Sequence, residues 1–536
     1  MATRVPVLVV VAYLLLGSAW LVGNPPGGAP DEPAHYLKAL GAGRGDLHLR
    51  RRPPPPPDLA TLDEQRKWHA VTARLVRIPP GLDPSPLPCS AFHPEISAGC
   101  LRNERPPGAT EAATIVGPYQ PFTYVVPGLL MRAAEDAESA TRFGRLGFWL
   151  LSAALLGLSV ALLWAPGQGG WWLIGLAVAV TPMVAFMVST LSANGLEIAA
   201  GLCFAAALLR LARGGDERAW VWAALAAGGA LLAIARVTGV LWVVLSLAAV
   251  LCVSGVAPAR AVLRRGGRRA VWAAAVVGSA VAATMAWELA VQPRPRRSLG
   301  AAVRGLRGEL GELPEILDQA IGIFGWLDTR MPTVAYATWK VLLLALLVAA
   351  SAVGTRRQRL AVAAVAAGTV VATVGVATLN RATGFGAQAR YVLPFLVVLP
   401  LAAGEVLLAN RARVRVPAGL VRWLPVGFVV PATGVHLLGW YANARRHAVG
   451  VPGPWAFIAQ AEWSPPLGWS TWLAVAGGAA FVLVLAAFLA AVSTPGGRPM
   501  AAAPAGSPTT EAPAPPAPAP PPTPGRPAPA PRRDGS

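Results

Sequence analysis

Charge is scarce in this sequence: Asp, Glu, Lys and Arg make up 13% of 536 residues, against 54% hydrophobic. Soluble domains carry about a quarter charged residues, so one soluble core is excluded and a polytopic membrane protein is the default reading. Cysteine is far scarcer, at four. Cys203 and Cys252 fall in apolar runs, while Cys89 and Cys100 share a polar loop. Only that second pair is placed to bridge, given a non-cytoplasmic loop, with two unpaired thiols as the alternative. No second Cys pair or close His completes a metal-ligand set. No basic stripe with interleaved aromatics puts the formal charge of +20 to use on nucleic acid, so no nucleic-acid partner is expected.

What is present is a series of apolar runs separated by short arginine clusters. Arg4 precedes the run Val5–Gly23, which lacks an Ala-x-Ala cleavage site and stops at Gly23-Asn24-Pro25-Pro26. It reads as a retained first helix, 1–23, rather than a signal peptide. A large polar loop, 24–143, follows, with an extended Pro53–Pro57 stretch. A multi-helix membrane domain, 144–492, then holds apolar spans at 144–165, 169–188, 190–212, 218–235, 237–255, 270–290, 335–354, 359–379, 389–409, 420–440 and 470–492. Each is near the roughly 20 residues needed to cross, which makes about twelve spans in all. Threaded from a cytoplasmic N-terminus, the clusters at Arg210–Arg218, Arg260–Arg269, Arg356–Arg359 and Arg411–Arg415 all fall inside. That places the N- and C-termini in the cytoplasm of a bacterial plasma-membrane protein, with the large loop outside. The tail 493–536 is rich in Pro and Ala and reads as disordered.

Chemistry is expected on the outer side. Asp31 and Glu32 lie in Pro30-Asp31-Glu32-Pro33-Ala34-His35-Tyr36, just after the first helix. Partial desolvation there raises a carboxylate pKa toward values suited to a general base. Alternatively, Asp31 caps the helix that runs through His35 to Ala39. Arg236 interrupts 218–255, where a cation in hydrocarbon costs several kcal/mol. The stretch is therefore two helices, with Arg236 at the outer tip as an interfacial anchor or a phosphate ligand. Glu197, after Asn194-Gly195-Leu196, reads as helix-end chemistry. Gly322 to Arg330 and Gly384 to Tyr391 read as ordered interfacial segments, and Tyr119 to Met131 as an interfacial or re-entrant helix.

Together the Pro-Asp-Glu-Pro-Ala-His box, Gly-Trp-Leu-Asp-Thr at 325–329 and Gln-Ala-Arg-Tyr at 388–391 resemble the bacterial predicted membrane protein family of unknown function 2142, over about Val5 to Val492. That family looks similar to the GT-C glycosyltransferases. The resemblance implies an all-α, GT-C-like polytopic fold that takes a sugar from a polyprenyl-phosphate donor in the membrane to a cell-envelope acceptor, with inversion. Asp31 or Glu32 would be the catalytic base. His35, Arg236 and Arg390 would surround the leaving phosphate, and Tyr36, Tyr124, Asp328, Arg330, Gln388 and Tyr391 would complete the substrate contacts. The cofactor is unknown, with a divalent cation between acid pair and phosphate as the one candidate. A transporter or lipid flippase is the alternative, and would need ionisable residues in the middle of several spans. Those found in apolar runs, such as Glu288, Lys340 and Glu405, lie near helix ends. A noncatalytic envelope assembly protein is the third reading.

Overall fold

A bilayer core offers a backbone no hydrogen-bond partner, so each apolar run must satisfy its own amides as a helix. The computed structural model of the chain describes residues 4–51, 63–102, 108–214, 218–291, 299–381, 384–415 and 417–493, with residues 525 and 535 alone beyond them. The Pro53–Pro57 stretch and nearly all of the tail lie outside the described residues.

The first apolar run is helix α1 (Arg4–Gly23), followed by the short α2 (Glu32–Gly43). The large loop then holds α3 (Glu64–Thr72), α4 (Val125–Met131) and an antiparallel sheet of β1 (Arg50–Arg51), β2 (Arg74–Arg77) and β3 (Glu111–Thr114), paired in that order. Cys89 and Cys100 are disulfide-bonded in this loop, with Cα atoms 6.0 Å apart. The bundle continues with α5 (Ala137–Leu163), α6 (Trp171–Ala179), α7 (Pro182–Val188) and α8 (Ala193–Ala212). Next come α9 (Ala219–Ala235), α10 (Thr238–Ser254), α11 (Val256–Gly266) and α12 (Arg268–Val291). After α13 (Leu299–Gly322), the strands β4 (Ile323–Phe324) and β5 (Thr329–Arg330) form a hairpin. Then follow α14 (Thr333–Val353), α15 (Arg356–Arg381), α16 (Leu393–Leu396), α17 (Val398–Ala409), α18 (Ala418–Val421), α19 (Leu424–Val449) and α20 (Gly468–Val492).

Every apolar run read from the sequence is helical, but the runs are not equal. Among the described residues 8 helices are long and apolar enough to cross alone, or up to 10 spans if two bent pairs each count as one. The α6–α7 pair breaks by 68°, because Pro182 opens α7 and the Thr181 hydroxyl caps it by accepting from Val184 N. The α10–α11 pair bends by 111°. Helix α9 and the α16–α17 stretch are shorter apolar helices. Helix α5 starts ahead of the expected residue 144, since Asp136 and Ser139 form a capping box before Ala137.

Helix α8 is buried along nearly its whole length, packed against α5, α9 and α10. Between α6 and α17, Gly175 and Gly404 face each other so closely that a Cβ on Gly404 would stand 2.6 Å from the Gly175 Cα. Small residues at such crossings let helices approach where lipid supplies no hydrophobic drive. In α8, Ser192, Asn194 and Glu197 mark one end and Arg210 and Arg213 the other, so this helix joins two polar ends of the bundle.

Candidate functional site

The turn after α1 delivers both expected acids, and then separates them. Asp31 has φ 58° and ψ 11°, in the left-handed region, a conformation that Asp tolerates better than most residues but still at a cost of about 1 kcal/mol or more. Its side chain makes no capping bond to α2, which overturns the capping alternative. It points instead to Arg390, whose Nη2 donates to Oδ2 at 2.6 Å. Arg390 Nη1 also donates to Pro30 O at 3.1 Å, and Nη2 lies 3.1 Å from the Tyr391 hydroxyl. Arg390 is 2% exposed and Asp31 29%, and Arg390 Nε is buried with no partner. Among the described residues no hydrogen bond reaches the second Asp31 oxygen.

Glu32 turns the other way. Arg145 donates to it through Nε and Nη2, each at 2.6 Å, and the amides of Gly27 and Leu191 donate to the same carboxylate. With four donors on two oxygens and 1% exposure, Glu32 has no lone pair to offer an acceptor hydroxyl. Its expected role as an alternative base is corrected on that ground. The remaining Arg145 donors bond the carbonyls of Leu21, Asn24 and Pro25, clamping the turn that carries Asp31.

Arg236 lies between α9 and α10, as expected, but it is mostly enclosed, at 12% exposure, rather than projecting from a tip. Its Nη1 donates to Asn194 Oδ1 at 2.7 Å, and it approaches Glu197 Oε2 at 3.6 Å. The guanidinium stacks over Tyr391, 4.7 Å from the ring centroid, and over Tyr119 at 5.6 Å. Glu197 is wholly buried, with Thr238 Oγ1 donating to it at 2.8 Å. Ser192 is the residue that caps α8, so Glu197 is a charge partner of Arg236 and not a cap.

Behind this layer His35 spans Tyr124 Oη at 2.7 Å and Ser192 Oγ at 3.3 Å. Asn194 Nδ2 donates to Ser192 Oγ, so hydrogen bonds run from Tyr124 through His35, Ser192 and Asn194 to Arg236. Burial, reinforced by Arg390 and Arg236 and opposed by Asp31, depresses the His35 pKa to about 3. The imidazole is therefore neutral at physiological pH, donating from one ring nitrogen and accepting at the other. For Asp31, burial pushes the pKa up, but Arg390, His35 and Arg236 outweigh it and hold the carboxyl below its usual value. That reverses the expected upward shift, because two guanidiniums stand beside the acid.

The front of the layer opens on a cavity of about 450 Å³. Asp31, Arg236, Tyr119, Tyr391, Thr238 and Glu288 supply its polar lining, and Trp68, Leu241, Val376, Leu379 and Phe385 its apolar wall. Other expected contacts lie elsewhere. The Tyr36 hydroxyl is spent on Leu82 O. Asp328 accepts from Arg446 Nη2 at 3.2 Å, and Arg330, 55% exposed, pairs with Glu315. Gln388 caps no helix with its side chain, and its Oε1 is buried without a partner. The 325–329 box acts through its indole: Trp326 Nε1 donates to Gly27 O at 3.0 Å, inside the turn before Asp31. The three boxes noted in the sequence thus converge on one turn.

The acid pair does not fit a divalent cation. Glu32 is saturated and Asp31 faces guanidiniums, and among the described residues no group of three or more His, Cys, Asp or Glu side chains could hold a metal. The sequence assigned Tyr119 to an interfacial segment and Asn194 to Glu197 to helix-end chemistry, and marked none of them as site residues. For Asn194 and Glu197 the signal was the i, i+3 spacing, which puts an amide and an acid on one face of an apolar helix.

Fold and site define a multi-pass α-helical membrane protein with a charged cavity at one end of its bundle. The chain belongs to the family described as "Predicted membrane protein (DUF2142)", which matches residues 14–399 and so contains Asp31, Arg236 and Arg390. No curated protein matches it. Among solved structures, it is similar to ArnT from Cupriavidus metallidurans in the apo state at 13% identity, covering 91% of this chain and 76% of that one, with a TM-score of 0.42.

Proposed function

We propose that this protein is a membrane glycosyltransferase that moves a sugar from a polyprenyl-phosphate donor to a cell-envelope acceptor on the non-cytoplasmic side. The observation that carries the reading is one cavity of about 450 Å³ that holds the Asp31 carboxylate, the Arg236 guanidinium and an apolar wall, with a second guanidinium, Arg390, paired to Asp31. A lipid-linked sugar needs all three. Its chain takes the wall of Leu241, Val376 and Leu379, and its phosphate takes Arg236 and Arg390, whose Nε is unspent.

Asp31 is the base in this reading, with its unbonded oxygen toward the cavity. It removes the proton of the acceptor hydroxyl as that oxygen attacks the anomeric carbon. The bond from that carbon to the phosphate oxygen breaks, the configuration inverts, and the electron pair leaves with the lipid phosphate. Arg236 and Arg390 neutralise the charge that develops there. Without a ligand, the neighbouring guanidiniums hold the Asp31 carboxyl below its usual value, which weakens it as a base. A phosphate beside it draws both guanidiniums and adds its own negative charge, and each effect raises the carboxyl pKa. The base is thereby armed by donor binding. His35 and Tyr124 act behind the cavity, holding Arg236 through Ser192 and Asn194. Glu32 and Arg145 hold the turn.

The test is release of polyprenyl phosphate from a panel of labelled polyprenyl-phosphate sugars, using membranes that carry the protein or its Asp31→Asn variant. Release by the wild type and its loss in the variant are expected. Turnover in the variant at the wild-type rate would remove Asp31 from the reaction.

A further inference from the structure

The opposite end of the bundle holds a second polar cavity that the proposed reaction does not use. From Asn194, beside Arg236, helix α8 runs to its other end at Arg213, roughly 28 Å away at 1.5 Å per residue. There a cavity of about 430 Å³ is lined by Arg213, Arg357, Arg411 and Glu405 among others. Arg213 and Glu405 pair at 2.5 Å, 16% and 13% exposed, leaving the charges of Arg357 and Arg411 uncompensated among the lining residues. Both are pre-placed by carbonyls: Arg357 Nη2 donates to Val253 O at 2.8 Å, and Arg411 Nη1 to Leu408 O at 3.2 Å.

Gly255 builds the wall. It has φ 93°, where a side chain is strained, and a Cβ there would fall 1.8 Å from Arg357 Nη1. Glycine therefore lets α10 turn sharply into α11 while Arg357 lies across the bend. Helix α11 carries Arg260, Arg264 and Arg265, with Val262 buried and Leu263 exposed at the rim of the bundle. Those two help to line an apolar cavity of about 480 Å³ among α8, α9, α10 and α12. Ala212 and Ser254 line both cavities, so the cationic one and the apolar one adjoin.

We propose that the two cavities together form a binding site for one anionic phospholipid, on the membrane face opposite the Asp31 cavity. The phosphate sits between Arg357 and Arg411, and an acyl chain fills the space between α8 and α12. Charge selects the headgroup and the apolar chamber selects a lipid over a free anion. A zwitterionic headgroup carries its own cation and gains less from two guanidiniums.

The full chain, purified and exchanged into nanodiscs of phosphatidylcholine, is titrated with phosphatidylglycerol, and retained lipid is counted by native mass spectrometry. Phosphatidylglycerol should be preferred by about twenty-fivefold, a factor of about five for each uncompensated guanidinium. Arg357→Ala with Arg411→Ala should abolish the preference, and Lys at both positions should keep it. Gly278 lines the apolar cavity, and a Cβ there meets no atom within 4 Å. Gly278→Leu should therefore fold normally yet lower retention of either lipid. Equal retention of the two lipids by the wild type, or an unchanged preference in the double Ala variant, overturns the proposal. Displacement of the lipid by inorganic phosphate alone, with Gly278→Leu silent, overturns it as well by reducing the site to one for a soluble anion.

Discussion

Two arginine–carboxylate pairs flank the same turn, one residue apart on the acid side, and they differ in almost everything else. Around Glu32 the carboxylate is saturated, Arg145 is 0% exposed, and the guanidinium is tied to three backbone carbonyls besides. Around Asp31 the backbone is left-handed, the acid is 29% exposed at a cavity, and Arg390 keeps an unpaired Nε. Satisfied buried polar networks rigidify a fold, while partly satisfied ones are energetically exposed. The closed pair thus holds the open one in a position that its local conformation does not favour. Strain and an unspent donor beside a cavity are what a substrate group can exploit.

The contrast can be broken from either side. The largest effect is expected from Arg145→Ala, which strands Glu32 as a buried charge and should cost about 3–5 kcal/mol. Thermal denaturation in detergent reads this directly, and a melting curve like the wild type would show that the pair is not a lock. Asp31→Asn should leave that curve nearly unchanged while lowering transfer by about 10²–10⁴-fold, the range for loss of a general base. If it unfolds the protein instead, the two pairs share one structural role.

Two smaller effects sharpen the comparison. His35 stays neutral in the folded protein down to about pH 3, whereas an unfolded His takes up a proton near pH 6.5. Between those values the unfolded state binds more protons, so the His35 contribution is complete above about pH 6.5. It is lost as pH falls, by up to about 1.4 kcal/mol per unit. The thermal midpoint should drop from pH 7 to pH 5 more steeply in the wild type than in His35→Gln, and parallel curves would count against a neutral His35. Arg390→Lys keeps the charge but loses the fork that reaches both Pro30 O and Asp31. Transfer should fall by about tenfold through weaker orientation, with kcat carrying the loss. A change confined to KM would place Arg390 in donor binding alone.

The residues themselves determined the membrane class, because runs of about 20 apolar residues have no other stable state in lipid. They also singled out Asp31, Arg236 and Arg390, since charge beside such runs is costly unless it has a purpose, and they marked Cys89 and Cys100 as the one pair able to bridge. Nothing local distinguishes Asp31 from Glu32. Their fates were decided by Arg145, 113 residues from Glu32, and by Arg390, 359 from Asp31. The downward shift at Asp31, the burial of Glu197 under Arg236 and the withdrawal of Tyr36 and Arg330 from the cavity have the same origin. A side chain's partners, and with them its charge state and reach, depend on which distant helix packs beside it, and local pattern carries no record of that packing.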